Sequence, residues 1–445
     1  MNKKPSVATA GPNTSCSGLV CPTVEPVRPT DEYFAPPREG RTKTKICFYN
    51  HTGQVSGAEK VLFAIFSALA TLDCQGVVFA PQSEQFEAVC KLNKLDFRPV
   101  TELNARYTSN PYKLLVYLLS VAQLLRELRK NIRLERPDLV HANTTRAAIV
   151  ATLATVGTKI PVLWYLHDIL PRHPLSALVK VLAVLSGRNR LIAVSNATAS
   201  AFVGDLPSWA RSRAPLEVIH NGTDTTIFNT NRDCAPAFLE EIGLNGAHFR
   251  IGIVGQITAR KGHLEVIRTL APLFKTTLRH GRLLVVGAAM FNNDKAYLEL
   301  LKAEAERLGI TDQILFLGPR HIPTLMKALN VLVVNSSNEP FGLVLTEAMA
   351  SGTPVVAGAV DGILEIVEDN VSGLLFRLGD TETLSSHLLA LASDGDLCRR
   401  LAVAGRERVE QVFSQRAFQS RVLRHYASYS GRMPNPTDSF EASAV

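Results

Sequence analysis

The chain has 445 residues, 46% of them hydrophobic and 20% charged, which excludes a single small module or a fibrous chain and points to two domains with full cores. Its net charge of +8 is uneven, with +11 over residues 41–215 and −3 over residues 216–445, so the first half is expected to meet an anionic partner. Seven cysteines at 16, 21, 47, 74, 90, 234 and 398 show no C-x-x-C pair, which argues against a disulfide framework or a zinc site.

From the start of the chain, residues 1–42 are rich in proline and lack an apolar export signal, so they read as the disordered tail of a cytoplasmic protein. Short apolar runs near 45–50, 76–80, 138–142, 161–167, 190–195 and 216–220 read as strands, with helical patterns over 58–70, 112–133, 145–156 and 175–185. The second half continues the alternation, with strands near 249–254, 282–287, 313–318, 331–335, 354–357 and 373–376 and amphipathic stretches over 264–278 and 294–308. Such alternation predicts βαβ units, hence two doubly wound α/β domains over 43–220 and 221–409. Val412, Phe413, Phe418, Val422, Leu423 and Tyr426 then mark a closing helix over 410–430, ahead of a second loose tail, 431–445. No apolar run reaches the ~20 residues that a membrane span requires.

In open α/β sheets, ligands bind beyond the carboxyl ends of the strands. There the chain places Asn50-His51, His141-Ala142-Asn143, His167-Asp168, Ser195-Asn196 and His220-Asn221-Gly222. Ser195-Asn196 reads as a helix cap; the whole set is better explained by a cleft between two facing sheets. The loop 53–57 is not G-x-G-x-x-G, which argues against a nicotinamide dehydrogenase; it is either a simple tight turn or a glycine loop whose Gly57 brings a helix N-terminus to a phosphate. After the strand 249–254, Gly255-Gln256 leads to Arg260-Lys261, either a solvated basic turn or adjacent cations whose repulsion is relieved by an anion such as a diphosphate between them. Farther on, Asn335-Ser-Ser-Asn-Glu339-Pro-Phe-Gly-Leu-Val-Leu-Thr-Glu347 breaks a strand and opens a helix. Its two carboxylates suit the hydroxyls of a sugar, and its free amides suit phosphate oxygens.

These residues resemble the group 1, or family 4, nucleotide-sugar glycosyltransferases. The resemblance rests on the E-x7-E pair Glu339 and Glu347, on Gly255–Gly262, on Asn221-Gly-Thr-Asp-Thr-Thr-Ile-Phe228 and on Ser56-Gly57-Ala58-Glu59, and it spans about residues 45–430. It implies a GT-B fold, two Rossmann-like domains facing across a cleft, with an N-terminal acceptor domain, a C-terminal donor domain and a last helix packing back on the first. It further implies that Glu347 holds the ribose, and that Glu339 and the backbone of Phe341, Gly342 and Leu343 hold the donor sugar. Lys261, with Arg260 nearby, would hold the diphosphate, Gly57 would close over it, and His167 would project toward the transferred sugar; His167 and Glu339 are the expected catalytic residues. One departure is Gln256, where the family often has arginine.

The expected reaction is transfer of a sugar from a nucleotide diphosphate-sugar to a glycan or lipid-linked acceptor of the cell envelope, with retention of configuration and without metal or other cofactor. The D-x-D string Asp394-Gly-Asp396 reads as solvated charge. An epimerase of the same fold and a non-catalytic nucleotide-sugar-binding protein are the alternatives. Apolar and basic residues share the stretches 112–136 and 172–190, either as core helices with charged ends or as a surface for an anionic membrane. Nucleic acid is not an expected partner, because the basic residues are not interleaved with aromatics.

Overall fold

In the computed structural model the described residues are 44–69, 74–103, 111–204, 206–213, 215–231, 233–244 and 248–430. The two segments read as tails, 1–42 and 431–445, lie outside them. The first half alternates β1 (Thr44–Tyr49), α1 (Gly57–Leu69), β2 (Cys74–Ala80), α2 (Glu84–Leu92), β3 (Asp96–Pro99), α3 (Pro111–Glu135), β4 (Leu139–Ala142), α4 (Thr145–Ala154), β5 (Val162–Leu166), α5 (Pro174–Leu185), β6 (Asn189–Ala193), α6 (Asn196–Val203), α7 (Ser208–Arg211) and β7 (Leu216–Val218). Its strands form one parallel sheet in the order β3-β2-β1-β4-β5-β6-β7.

The second half holds α8 (Ala235–Glu241), β8 (Phe249–Val254), α9 (His263–Lys275), β9 (Gly281–Val286), α10 (Asn292–Arg307), β10 (Ile314–Gly318), α11 (Ile322–Ala328), β11 (Val331–Val334), α12 (Leu343–Ala350), β12 (Val355–Gly358), α13 (Ile363–Ile366), β13 (Leu374–Phe376), α14 (Thr381–Ser393), α15 (Gly395–Val412) and α16 (Gln415–Ser430). The parallel order here is β10-β9-β8-β11-β12-β13. Central strands such as β1, β5 and β11 are buried on both faces, which is why they read as continuous apolar runs rather than alternating ones.

Two elements differ from the expectation. The edge strand β3, Asp-Phe-Arg-Pro, has no apolar run to announce it, and a proline at its end is tolerated because an edge position need not donate on both sides. The closing helix begins at Gln415 rather than near 410, because the chain interrupts the helix at Phe413-Ser414 to cross between the domains.

The two crossings pair with each other. Thr223 N donates to Phe413 O at 2.8 Å and Gln415 N to Thr223 O at 2.9 Å. Gly222 makes this approach possible, since a β-carbon there would lie 2.6 Å from both Gln415 Cα and Phe418 Cβ. Beyond the crossing, α16 lies on the first domain: Gln419 Nε2 donates to Ala64 O at 2.7 Å, and Tyr426 OH meets His141 Nδ1 at 2.6 Å. Val422, Leu423 and Tyr426 share a core with Phe48, Phe66 and Tyr165, while α3, α4, α5 and α6 cover the opposite face of that sheet.

Candidate functional site

Each sheet reverses its strand order between two central strands, β1 and β4 in the first and β8 and β11 in the second. Loops beyond such reversal points form ligand crevices. After β1, Ser56-Gly-Ala-Glu59 opens α1, with the Glu59 carboxylate reaching back to the N–H of Ser56, half of a capping box. Buried Glu59 accepts from Ser56 N at 2.9 Å, from Ser56 Oγ at 2.5 Å and from Asn50 Nδ2 at 3.2 Å. Asn143 Nδ2, beyond β4, reaches Asn50 Oδ1 at 3.1 Å. In the second domain Asn335 Nδ2 donates to Gly262 O at 3.1 Å and to Glu265 Oε2 at 2.8 Å. The asparagines that follow strands therefore fasten the loops of the cleft to the first turns of helices.

Gly57 stands at the start of α1 and faces the start of α12, where a β-carbon on it would lie 3.6 Å from Leu343 Cδ1. Gly342, with φ of 107°, precedes α12 and offers no side chain to cap it. Two helix N-termini with free N–H groups thus oppose each other across the cleft, an arrangement that an anion between them stabilises. Phe341 is buried, whereas Leu343 is partly exposed beside the cleft.

Lys261 and Glu339 are brought together. Lys261 Nζ donates to Glu339 Oε2 at 2.5 Å, with side chains 14% and 11% exposed. Asp361 Oδ2 fixes the same loop by accepting from Glu339 N at 3.0 Å. Arg260 is exposed, and its Nη1 donates to Asn338 O at 2.6 Å. Both cations therefore have partners within the protein, so their adjacency does not by itself require an anion. Gln256 donates through Nε2 to Asp294 Oδ2 at 2.7 Å, and Asp294 also accepts from Phe291 N at the start of α10. The residue that departs from the family pattern thus braces the loop.

Glu347 lies on the second turn of α12. Burial pushes its carboxyl up to about 7, and Lys60 of α1, across the cleft, pulls against that shift. Across the cleft, His167 follows β5. Its ring stacks on Tyr165 at 4.6 Å, its Nε2 is buried without a hydrogen-bond partner, and burial holds its ionisation down to about 3. It is a neutral imidazole at physiological pH, free to hydrogen-bond a ligand but not to act as a cation.

Ser195 is more than the cap expected. It accepts from Thr198 N at 3.0 Å and also donates to Pro340 O, in the other domain, at 2.5 Å. Glu365 of α13 accepts from Asn196 N and Ala197 N, each at 2.9 Å, and from His220 Nε2 at 2.8 Å. Burial opposes the charge on Glu365, but these donors outweigh it and hold the carboxyl below its usual range. Nothing in the local sequence marks Glu365, because its partners lie far away along the chain. The string Asp394-Gly-Asp396 stands apart from the cleft: Asp394 caps α15, and exposed Asp396 pairs with Arg399. Among the described residues no group of three His, Cys, Asp or Glu could hold a metal ion.

Two family models match the chain, "Glycosyl transferases group 1" over residues 236–408 and "Glycosyltransferase Family 4" over residues 55–227. The chain is 28% identical to the D-inositol 3-phosphate glycosyltransferase of Nocardia farcinica, over 60% of this chain and 61% of that one. It is 30% identical to the alpha-maltose-1-phosphate synthase of Mycobacterium tuberculosis, over 62% of this chain and 75% of that one. Among solved structures, Alr3699/HepE of Anabaena in complex with UDP-glucose aligns with a TM-score of 0.73 and 26% identity, covering 86% of this chain and 99% of that one. The fold is GT-B, two Rossmann-like domains facing across a cleft.

Proposed function

The chain belongs to the group 1, family 4 glycosyltransferases, and from that premise we propose that it transfers a sugar from a nucleotide diphosphate-sugar to a glycan or lipid-linked acceptor of the cell envelope, with retention of configuration. The observation that carries this reading is the convergence at the start of α12. Lys261 and Glu339 meet there, Glu347 lies one turn on, Gly57 faces Leu343 from the other domain, and from that same domain Asp168, next to His167, feels the charge of Arg260. In the proposed complex Glu347 accepts from the ribose hydroxyls, Lys261 and the amides of α12 bind the diphosphate, and Glu339 and His167 hold the sugar. Arg260 adds charge at the mouth of the cleft.

In the reaction the bond from the anomeric carbon to the diphosphate oxygen breaks, and the acceptor oxygen bonds to that carbon on the same face. The acceptor proton passes to the departing phosphate oxygen. Positive charge builds on the sugar as negative charge builds on the leaving group, and fixed donors aimed at the latter lower the barrier. We assign that neutralisation to Lys261, Arg260 and helix amides rather than to a metal ion.

The UDP-glucose complex of the Anabaena protein makes UDP-sugars the first donors to test. In a thermal-shift panel of UDP, GDP, ADP and dTDP with their sugars, one base is expected to raise Tm by about 5–10 °C at a hundredfold excess over Kd. A panel with no shift for any base would refute the donor assignment.

The acceptor side supports the lipid-linked reading. No helix among the described residues is long and apolar enough to cross a membrane. On α5, however, Leu175, Leu178, Val181 and Leu185 form an exposed stripe at helical spacing, the first two 63% and 65% exposed. Leu115, Leu118 and Leu119 of α3 are exposed as well, so these leucines are not core. Arg172 and Arg188 flank α5, and Arg126, Lys130 and Arg133 continue along α3. An apolar stripe with basic borders suits the cytoplasmic face of an anionic leaflet. The protein is expected to sediment with phosphatidylglycerol vesicles and to be released by Leu175→Ser with Leu178→Ser. Equal recovery in the supernatant with neutral and anionic vesicles would count against membrane binding.

A further inference from the structure

The residues between Glu339 and Gly342 belong to the donor half of the cleft, yet they are held from the other domain. Pro340 O accepts from Ser195 Oγ at 2.5 Å across 145 positions of sequence. Phe341 packs with His220 at 6.0 Å and with Phe413 at 5.9 Å, where the chain crosses between domains. The start of α6, which Ser195 caps, is held in turn by Glu365 of the second domain through Asn196 N, Asn196 Nδ2 and Ala197 N. Arg408 fixes Glu365 from behind by donating to its carbonyl at 2.9 Å.

The first sheet carries this clamp to the other side of the cleft. Leu166 of β5 pairs in register with Ala193 of β6. His167 and Ser195 therefore extend from the ends of adjacent strands, one and two residues beyond that pair. In the donor-site reading above, where His167 meets the sugar held by Glu339, a displacement of Ser195 from Pro340 would also shift His167 relative to that sugar.

We infer that Ser195 and Glu365 are positioning residues, which clamp the start of α6 to the 339–342 loop and so set the sugar end of the donor site in register with His167. The inference rests on the donor-site reading above. It separates two parts of the ligand: the nucleotide meets Lys261, Glu347 and the start of α12 in one domain, with only the backbone at Gly57 approaching it from the other, whereas the sugar lies between residues of both domains. Loosening the clamp should weaken the hold on the sugar and spare the nucleotide.

The test is calorimetry with the nucleotide and the nucleotide-sugar that give the largest thermal shift, on the full chain and on Ser195→Ala, Ser195→Thr and Glu365→Gln, with melting curves to confirm folding. Loss of one hydrogen bond at the clamp corresponds to about fivefold. Ser195→Ala and Glu365→Gln are thus expected to lower the affinity gained from the sugar by about that factor, with nucleotide Kd within about twofold. Ser195→Thr keeps the hydroxyl, both as cap and as donor to Pro340, and should restore the wild-type ratio. A general packing defect would instead lower Tm and the bound fraction without changing the ratio. Folded Ser195→Ala and Glu365→Gln proteins with the wild-type ratio, or with both ligands weakened together, would overturn the inference. A wild-type protein that binds no nucleotide would overturn the donor reading instead.

Discussion

Lys261→Met is expected to weaken nucleotide diphosphate binding at least tenfold, to cut turnover by about 10²–10³, and to destabilise the fold by about 3 kcal/mol. The functional losses and the loss of stability have different origins. Turnover falls because the ammonium no longer meets the charge growing on the leaving diphosphate. Stability falls because Glu339, 11% exposed and bonded to Lys261 at 2.5 Å, is left as a mostly buried carboxylate without its partner. Adding Glu339→Gln removes that stranded charge, so the double variant should regain most of the lost stability in a denaturant melt. It should regain no activity, because it lacks both the phosphate cation and the sugar carboxylate. Recovery of turnover along with stability would show that the pair serves the fold alone, and unchanged diphosphate affinity in Lys261→Met would remove the phosphate assignment.

Most of the scaffold is legible in the sequence because a parallel strand buried on both faces has to be written as an apolar run. Val331–Val334 and Phe249–Val254 are such runs, and each is a strand. Asp96–Pro99 is not legible, since an edge position places no such demand on its side chains. The break at Phe413-Ser414 is hidden as well, because Val412, Phe413 and Phe418 keep helical spacing across it and only the pairing with Thr223 reveals it. In the site, the Ser56-Gly57-Ala58-Glu59 string and the Glu339–Glu347 spacing are local patterns and can be read directly. Ser195 was half legible: its cap is a contact three residues long, while its bond to Pro340 depends on how the two domains meet. Glu365 and Asp361 have no local signature, because their partners are chosen by the tertiary fold.

The pH dependence separates the two groups on which donor binding and transfer are proposed to depend. Burial raises Glu347 to about 7 and lowers His167 to about 3. Ribose hydroxyls donate, so the ionised carboxylate accepts from both at once, whereas the acid form keeps a proton in the way. Donor affinity and kcat/KM should therefore rise with pH through about 7, the value set by Glu347 in the free enzyme. Below that pH, binding converts a protonated Glu347 to a carboxylate, and calorimetry in buffers of different ionisation enthalpy should register a released proton. Glu347→Gln should abolish both the acid limb and the proton release, and lower affinity at pH 8 by about tenfold or more, the worth of a hydrogen bond to a charged group. His167→Ala should lower kcat by about 10²-fold through loss of a donor fixed against the sugar. It should leave the limb and its midpoint in place, because a neutral imidazole held by its stack on Tyr165 does not titrate in this range. A limb that vanishes with His167, or a wild-type midpoint near that of an ordinary carboxylate, would reverse the assignment of the two groups.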